Sequence, residues 1–321
     1  MRVQLGTWIG VFFACACLPA ETSRPPDPPS GEIGVTLLGT GGGPPVRPDR
    51  AGIATLVEVG GDSFLFDAGR SCMERLVRAG LPMDAVSKLF ITHLHSDHVI
   101  DIPDLMLSPW SAPSARKVPF EVWGPRGTRD MMLHLQKAFT FDIRMRRDED
   151  EQASPEGIKV IAHDIREGTI YEANGVRVSA FLVDHGPVKP AFGFRVDYAG
   201  HSVALSGDTR PSDNLVKHCQ GVDVLIHEAV DAEAFRRLNP SERLFQAVLN
   251  HHTTPEQAAD IFKRTSPRLA VFSHSAGTPS IVNQTRKFYS GRVEMGEDLM
   301  VIHIGYEIVV VRPSQTRLQA K

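Results

Sequence analysis

Residues 92 to 98 read THLHSDH, three histidines and an aspartate within seven positions. His93, His95 and Asp97 alternate along the chain, so an extended approach sends all three toward one side. His98 then opens a helix-like stretch. Such a turn delivers two imidazoles to one cation, and a carboxylate with a third imidazole to a second. Imidazole and carboxylate suit Zn2+, and also Fe or Mn. The apolar LFI before the turn and VIDI after it set the cluster against a core rather than on a polar surface.

One turn cannot complete two coordination spheres, so the reading requires ligands further along. Strand-like runs end in His185 (SAFLVDH), Asp208 (VALSGD), His227 (VDVLIH) and His274 (LAVFSH), each where a strand gives way to a loop. Residues at such ends converge on one face of a layered fold, where sites usually lie. His134, His163, His201, His218 and His303 read as structural or surface residues.

The elements that must position these residues are short β-rich runs broken by glycine turns: 33–40, 53–60, 63–69, 88–93 and 118–124 in the first half. SCMERLVRAG (71–80) and RGTRDMMLHLQKAF (126–139) have helical spacing. The second half repeats the style, with turns at Asn174-Gly175 and Ala199-Gly200 and helices over 255–265 and 280–289. Two βα-rich halves predict an α/β fold, a four-layer αββα sandwich. The charged stretch 142–157 reads as a solvated loop in preference to a lid over the site. Gly39 and Gly41 to Gly43 read as a turn after the first strand, with an anion cradle the weaker reading.

The chain has 321 residues, 42% of them hydrophobic, and 35 basic against 38 acidic residues give a net charge of -3. No basic face announces a nucleic-acid partner. MRVQLGTWIGVFFACACLPA, residues 1–20, has the pattern of a secretory signal peptide, with an apolar run shorter than the roughly 20 residues a membrane span needs. Residues 21–32 read as a Pro-rich linker, and 33–312 as the hydrolase domain. The expected location is the periplasm or outside the cell, with a lipid anchor on Cys15 or Cys17 a weaker alternative. Cys72 and Cys219 are expected to be partly buried free thiols.

HLHSDH matches the HxHxDH signature of the metallo-β-lactamase superfamily. LGTGG (38–42), FDAG (66–69), SGDTRP (206–211), LIHEA (225–229), HTTPEQAA (252–259) and FSH (272–274) resemble its ribonuclease Z and arylsulfatase-like branch. The resemblance runs from about Ile33 to Val311. It implies that His93, His95 and His185 hold one metal, that Asp97, His98 and His274 hold the other, and that Asp208 bridges them. It sets His227 just outside the metals and makes Glu228 the residue that orients His252 as a proton donor.

Two divalent ions, Zn2+ first and Mn2+ or Fe as alternatives, share a water and lower its pKa from about 16 toward about 7, giving a hydroxide nucleophile. A leaving alkoxide still needs a proton, and a histidine held by a carboxylate supplies it. The expected catalytic set is therefore Asp97, His252 and Glu228, with His251 a weaker contender for the proton. Asp67, at the end of FLFD, is expected to orient ligating imidazoles.

Ribonuclease Z enzymes that grip tRNA carry a Gly- and Pro-rich arm between the ligands matching His185 and Asp208. Here that interval holds one β-hairpin. With the signal-like segment and the balanced charge, this leads to the expectation of a secreted dinuclear hydrolase acting on sulfate-ester or phosphodiester bonds of small molecules. Nucleic acid is disfavoured as a partner, and a homodimer is allowed. The alternatives are β-lactamase or lactonase activity, a ribonuclease Z-like endonuclease, and an iron-dependent sulfur or redox enzyme of the same superfamily.

Overall fold

The computed structural model describes residues 28–111, 113–275 and 279–313. The expected signal peptide, Cys15, Cys17 and most of the Pro-rich segment lie outside the described residues. Among the described residues no helix is long and apolar enough to cross a membrane.

The first sheet has β1 (Ile33–Gly39), β2 (Ala54–Val59), β3 (Asp62–Phe66), β4 (Lys88–Phe90), β5 (Phe120–Gly124) and β6 (Val160–Asp164) side by side in chain order. The second runs from β7 (Gly168–Ala173) through β8 (Val176–Leu182), β9 (Phe192–Tyr198), β10 (His201–Leu205), β11 (Val224–Glu228) and β12 (Leu269–Ser273) to β13 (Val293–Met295). β14 (Met300–Ile304) and β15 (Ile308–Val311) return to the first sheet, where β14 pairs antiparallel with β1.

Alternation within the strands dictates the layers. In β3, Phe64 and Phe66 point between the sheets while Leu65 turns to the outer face; in β11, Val224 and Ile226 point inward and Leu225 outward. Both faces of the central strands are therefore buried, which is why those strands read as nearly continuous apolar runs, while the edge strands β6, β7 and β15 are partly exposed. Sinking a phenylalanine such as Phe64 contributes about 2 to 3 kcal/mol through the apolar area it removes from water. Helices α1 (Cys72–Arg78), α2 (Ser96–Val99), α3 (Ile102–Leu107), α4 (Thr128–Ala138) and α5 (Thr140–Arg144) belong to the first half. The second half has α6 (Asp213–Cys219), α7 (Ala232–Arg237), α8 (Glu242–His251), α9 (Pro255–Thr265) and α10 (Pro279–Thr285). The result is the expected αββα sandwich.

β3 to β6 are parallel, and so are β10 to β13. Helical crossovers between them leave every parallel strand pointing its carboxyl end to the same side, where α/β folds bind ligands. Asp67, His93, Asp208, Glu228 and His274 sit at or just beyond the ends of β3, β4, β10, β11 and β12.

The turns at Asn174-Gly175 and Ala199-Gly200 have positive φ at both central residues, as two-residue hairpins require. Residues 142–157 differ from the expected loop. The chain stays helical to Asp150, closing with a widened turn at Met145–Asp150, because Asp142 and Arg146 pair one helical turn apart at 3.0 Å and Ile143 and Ile158 bury against the outer face of the first sheet. Cys72 and Cys219 are free thiols as expected, but both are fully rather than partly buried.

Candidate metal centre

β4 ends at Phe90, and the chain continues extended to His95 before α2 begins at Ser96. Asp97 and His98 thus fall in the first turn of α2, opposite His93 and His95. The rings of His93 and His98 approach to 4.1 Å between centroids, and those of His93 and His185 to 4.8 Å. His93, His95, His185 and Asp208 form one group, and Asp97, His98 and His274 another; within each, one nitrogen or oxygen per residue lies within 4.8 Å of all the others.

Asp208 joins the groups. Its Oδ2 stands 3.9 Å from Nε2 of His93 and of His185 and 3.4 Å from Nε2 of His98, while Oδ1 stands 3.2 Å from His274 Nδ1. On the other side, Asp97 Oδ2 lies 3.2 Å from His274 Nε2 and 3.5 Å from His98 Nε2. Every residue of the two groups is buried except His95, which opens to solvent.

These groups suit a cation. His93 Nε2, His98 Nε2, His274 Nδ1 and Asp208 Oδ1 are buried without a hydrogen-bond partner, although they crowd together. One such orphan costs about 1 to 3 kcal/mol. Four in one place are explained by a bound metal, which satisfies nitrogen and carboxylate lone pairs at once.

The surroundings fix the ligand rings. Asp67 Oδ2 accepts from His98 Nδ1 at 2.8 Å, and its Oδ1 accepts from the Thr92 amide at 2.8 Å, so His98 presents Nε2 to the cluster. His185 Nδ1 donates to the His251 carbonyl at 3.0 Å. His251 thus engages the site through its carbonyl, and its ring packs edge-on against that of His185 at 5.6 Å. Glu228 Oε1 accepts from the amides of Thr209 and Thr253 at 3.2 and 3.0 Å and stands 3.3 Å from His252 Nδ1. His252 caps the end of α8, and it also falls within 4.8 Å of Asp208 and His274.

Charge follows this geometry. Burial disfavours protonation of His252, but the Glu228 carboxylate outweighs it and lifts the imidazole to about 9. Burial likewise opposes charge on His98, yet Asp208 and Asp67 raise it well above the ordinary range, favouring there the positive charge that a cation on Nε2 would replace. His93 is pushed the other way, by burial and by the positive His98 beside it. Burial raises Asp97, but the bond to His274 and the attraction of His98 and His274 together outweigh it and bring the carboxyl down to about 2.

His227 shares the strand-end position of the other histidines but stands outside both groups. Its Nδ1 bonds the Glu228 carbonyl at 2.6 Å and its ring faces Phe262 in the helical layer. Sequence reasoning missed Gly43 as a contact: its amide donates to Asp97 Oδ2 at 3.1 Å. The run Gly41–Gly43 was the available signal. An open cleft of about 470 Å3 beside this loop is lined by Arg47, Arg50, Arg70 and Asp97.

Residues 63–275 match the model of the β-lactamase superfamily domain. The chain is 36% identical over 296 residues to ribonuclease Z of Mycobacterium sp. (strain KMS), covering 88% of this chain and 99% of that one. It is 37% identical over 286 residues to ribonuclease Z of Mycobacterium avium (strain 104), covering 85% and 98%. The crystal structure of human tRNase Z, short form, superposes with a TM-score of 0.62 at 26% identity, covering 84% of this chain and 98% of that one.

These relatives overturn two expectations: the secreted hydrolase of small sulfate esters or phosphodiesters, and the exclusion of nucleic acid. The ribonuclease Z of strain KMS is matched over 99% of its length, and that likeness outweighs the short interval between His185 and Asp208. Net charge misled because it is a sum over the whole chain, whereas a polyanion meets the local field of a cleft. Three arginines and Asp97 line this one, with Asp49 paired to Arg47 and Arg50.

Proposed function

The chain belongs to the β-lactamase superfamily, in its ribonuclease Z branch, and is a metal-dependent hydrolase of ester bonds; from that premise we propose that it is an endonuclease cutting a phosphodiester bond in tRNA-type RNA. The observation that carries the reading is the Glu228–His252 pair, 3.3 Å apart, beside two candidate ligand groups, with Asp208 of the first also 3.2 to 3.4 Å from His274 and His98 of the second. A ribose oxygen leaving phosphorus is a strong base and needs a proton. An imidazole held protonated by a carboxylate is suited to deliver it.

In this reading His93, His95 and His185 would hold one divalent ion and Asp97, His98 and His274 a second, with Asp208 available to both. All nitrogen and oxygen donors favour Zn2+, with Mn2+ and Fe compatible. Such cations, when bound, acidify a water and neutralise charge on the phosphoryl oxygens. The protein's own part is positional and acid–base. Asp67 and the His251 carbonyl hold His98 and His185 in the tautomers that face inward. Glu228 keeps a proton on His252, and His252 passes it to the leaving oxygen. Arg47, Arg50 and Arg70 offer positive charge to phosphates flanking the scissile bond.

The test is cleavage of a labelled precursor tRNA by the purified chain, alongside metal analysis after reconstitution. Site-specific cleavage with close to two equivalents of metal is expected. Absence of cleavage with any of zinc, manganese or iron, while an aryl sulfate is hydrolysed, would overturn the reading.

A further inference from the structure

Asp298 lies in the short connection between β13 and β14, distant in sequence from every residue of the metal centre. Its carboxylate holds both ends of loop 40–51. Oδ1 accepts from the Thr40 amide at 3.0 Å and from Thr40 Oγ1 at 2.8 Å, while Oδ2 accepts from the Ala51 amide at 2.6 Å. Arg75 of α1 balances the charge from 3.5 Å, and the Asp298 side chain is only 10% exposed. Gly41 and Ala51 then close the loop through a backbone bond of 2.8 Å.

The closed loop meets the metal centre through its first residues, 40–43. The Thr40 carbonyl accepts from the amide of Ser275, the residue after His274. Gly42 packs so closely on His274 that a Cβ there would stand 2.9 Å from the His274 backbone and 3.1 Å from its Nδ1. Gly43 donates its amide to Asp97 Oδ2 at 3.1 Å. One buried carboxylate thus governs a loop touching two ligand residues that lie on opposite sheets.

We propose that Asp298 is a positioning residue of the metal centre: by clamping loop 40–51 shut it keeps the Gly43 amide on Asp97 and the loop against His274. The inference rests on the reading of Asp97 and His274 as ligands. The Gly41–Ala51 and Ser275–Thr40 backbone bonds keep the loop attached to the sheets without Asp298; what the carboxylate adds is the tie between Thr40 and Ala51, so its loss loosens the loop without unfolding the sheets. Asp298→Asn retains an acceptor for Thr40 but turns an amide N–H toward the Ala51 N–H and removes the partner of Arg75. Thr40→Val removes one donor to Asp298 together with the acceptor of Arg50 Nη1, leaves the Asp298 bonds to the two backbone amides, and is the milder form.

Both variants of the full chain are compared with wild type for tryptic cleavage after Arg50, for the rate at which bound zinc passes to a colorimetric chelator, and for kcat and KM on RNA. Asp298→Asn is expected to open the Arg50–Ala51 bond to trypsin, speed zinc release, and lower kcat about ten-fold with KM changed less than about three-fold. Thr40→Val moves each in the same direction by less. Wild-type rates of both cleavage and zinc release in Asp298→Asn overturn the proposal, as does a wild-type chain that binds no zinc. Should Asp298→Asn not fold, Thr40→Val decides on the same readouts. A wild-type chain that holds zinc behind a protected loop but cuts no RNA refutes the functional reading; the cleavage and zinc-release comparison of the variants then decides the clamp.

Discussion

His252→Ala separates a proton donor from a structural histidine through the choice of leaving group. A positioned general acid contributes about 10^2 to 10^4 in rate. The Glu228 carboxylate overcomes burial and lifts His252 to about 9, which favours the protonated imidazole at neutral pH. The same stabilisation makes it a weaker acid, which sets the expected loss near the middle of that range, about 10^3-fold or about 4 kcal/mol of barrier. The loss should be confined to substrates whose leaving oxygen needs protonation. Single-turnover cleavage of precursor tRNA measures that case, and bis-p-nitrophenyl phosphate, whose phenolate departs unprotonated, measures the other. We expect a large loss on RNA and a loss of less than about ten-fold on the aryl ester. Glu228→Gln, which keeps an acceptor for the Thr209 and Thr253 amides but not the charge, should show a smaller loss of the same pattern. Equal losses on both substrates would refute the assignment of His252 as acid and point to a lost metal or a collapsed site.

Other perturbations probe the scaffold. Asp67→Ala strands the Thr92 amide and His98 Nδ1, and should weaken metal affinity about 10- to 100-fold in a chelator competition. Removing metal with a chelator should abolish cleavage, and zinc or manganese should restore it, since the ligand cluster lies at the end of strands whose cores are independent of it. Arg116, fully enclosed, donates to the carbonyls of Leu105, Met106 and Gly157. Arg116→Met leaves those acceptors dry, and at about 1 to 3 kcal/mol for each one left unsatisfied it should lower the denaturation midpoint by several degrees. Burial pushes the Cys219 thiol up to about 12 and Cys72 far above its ordinary value. A chain starting at residue 28 should therefore resist thiol reagents when native and expose both thiols on unfolding.

Much of the fold is local information. Apolar alternation and glycine turns mark the strands, and Pro255 after Thr254 marks the start of α9, whose capping box pairs Thr254 with Gln257. The HxHxDH turn is legible because its ligands are neighbours in the chain. Ligands contributed by distant strands were legible only as a class, histidine or aspartate at the end of an apolar run.

Tertiary structure sorted that class. In β11 the inward positions are Val224 and Ile226, so alternation carries Glu228 inward and turns His227 out to Phe262; with apolar residues on both faces, the sequence has no parity mark to say which is which. In β12, alternation alone would send His274 outward with Ala270 and Phe272, but its backbone takes a left-handed φ of 46° and the imidazole comes in over Asp208. The composition likewise states a net charge but not that Arg47, Arg50 and Arg70 share one cleft. What the sequence determined by itself was the period of each element and the identities of its chemical groups, because those are properties of neighbouring residues. Which groups meet, which face they take and what field they share was decided by packing two sheets together, because that depends on contacts no local pattern records.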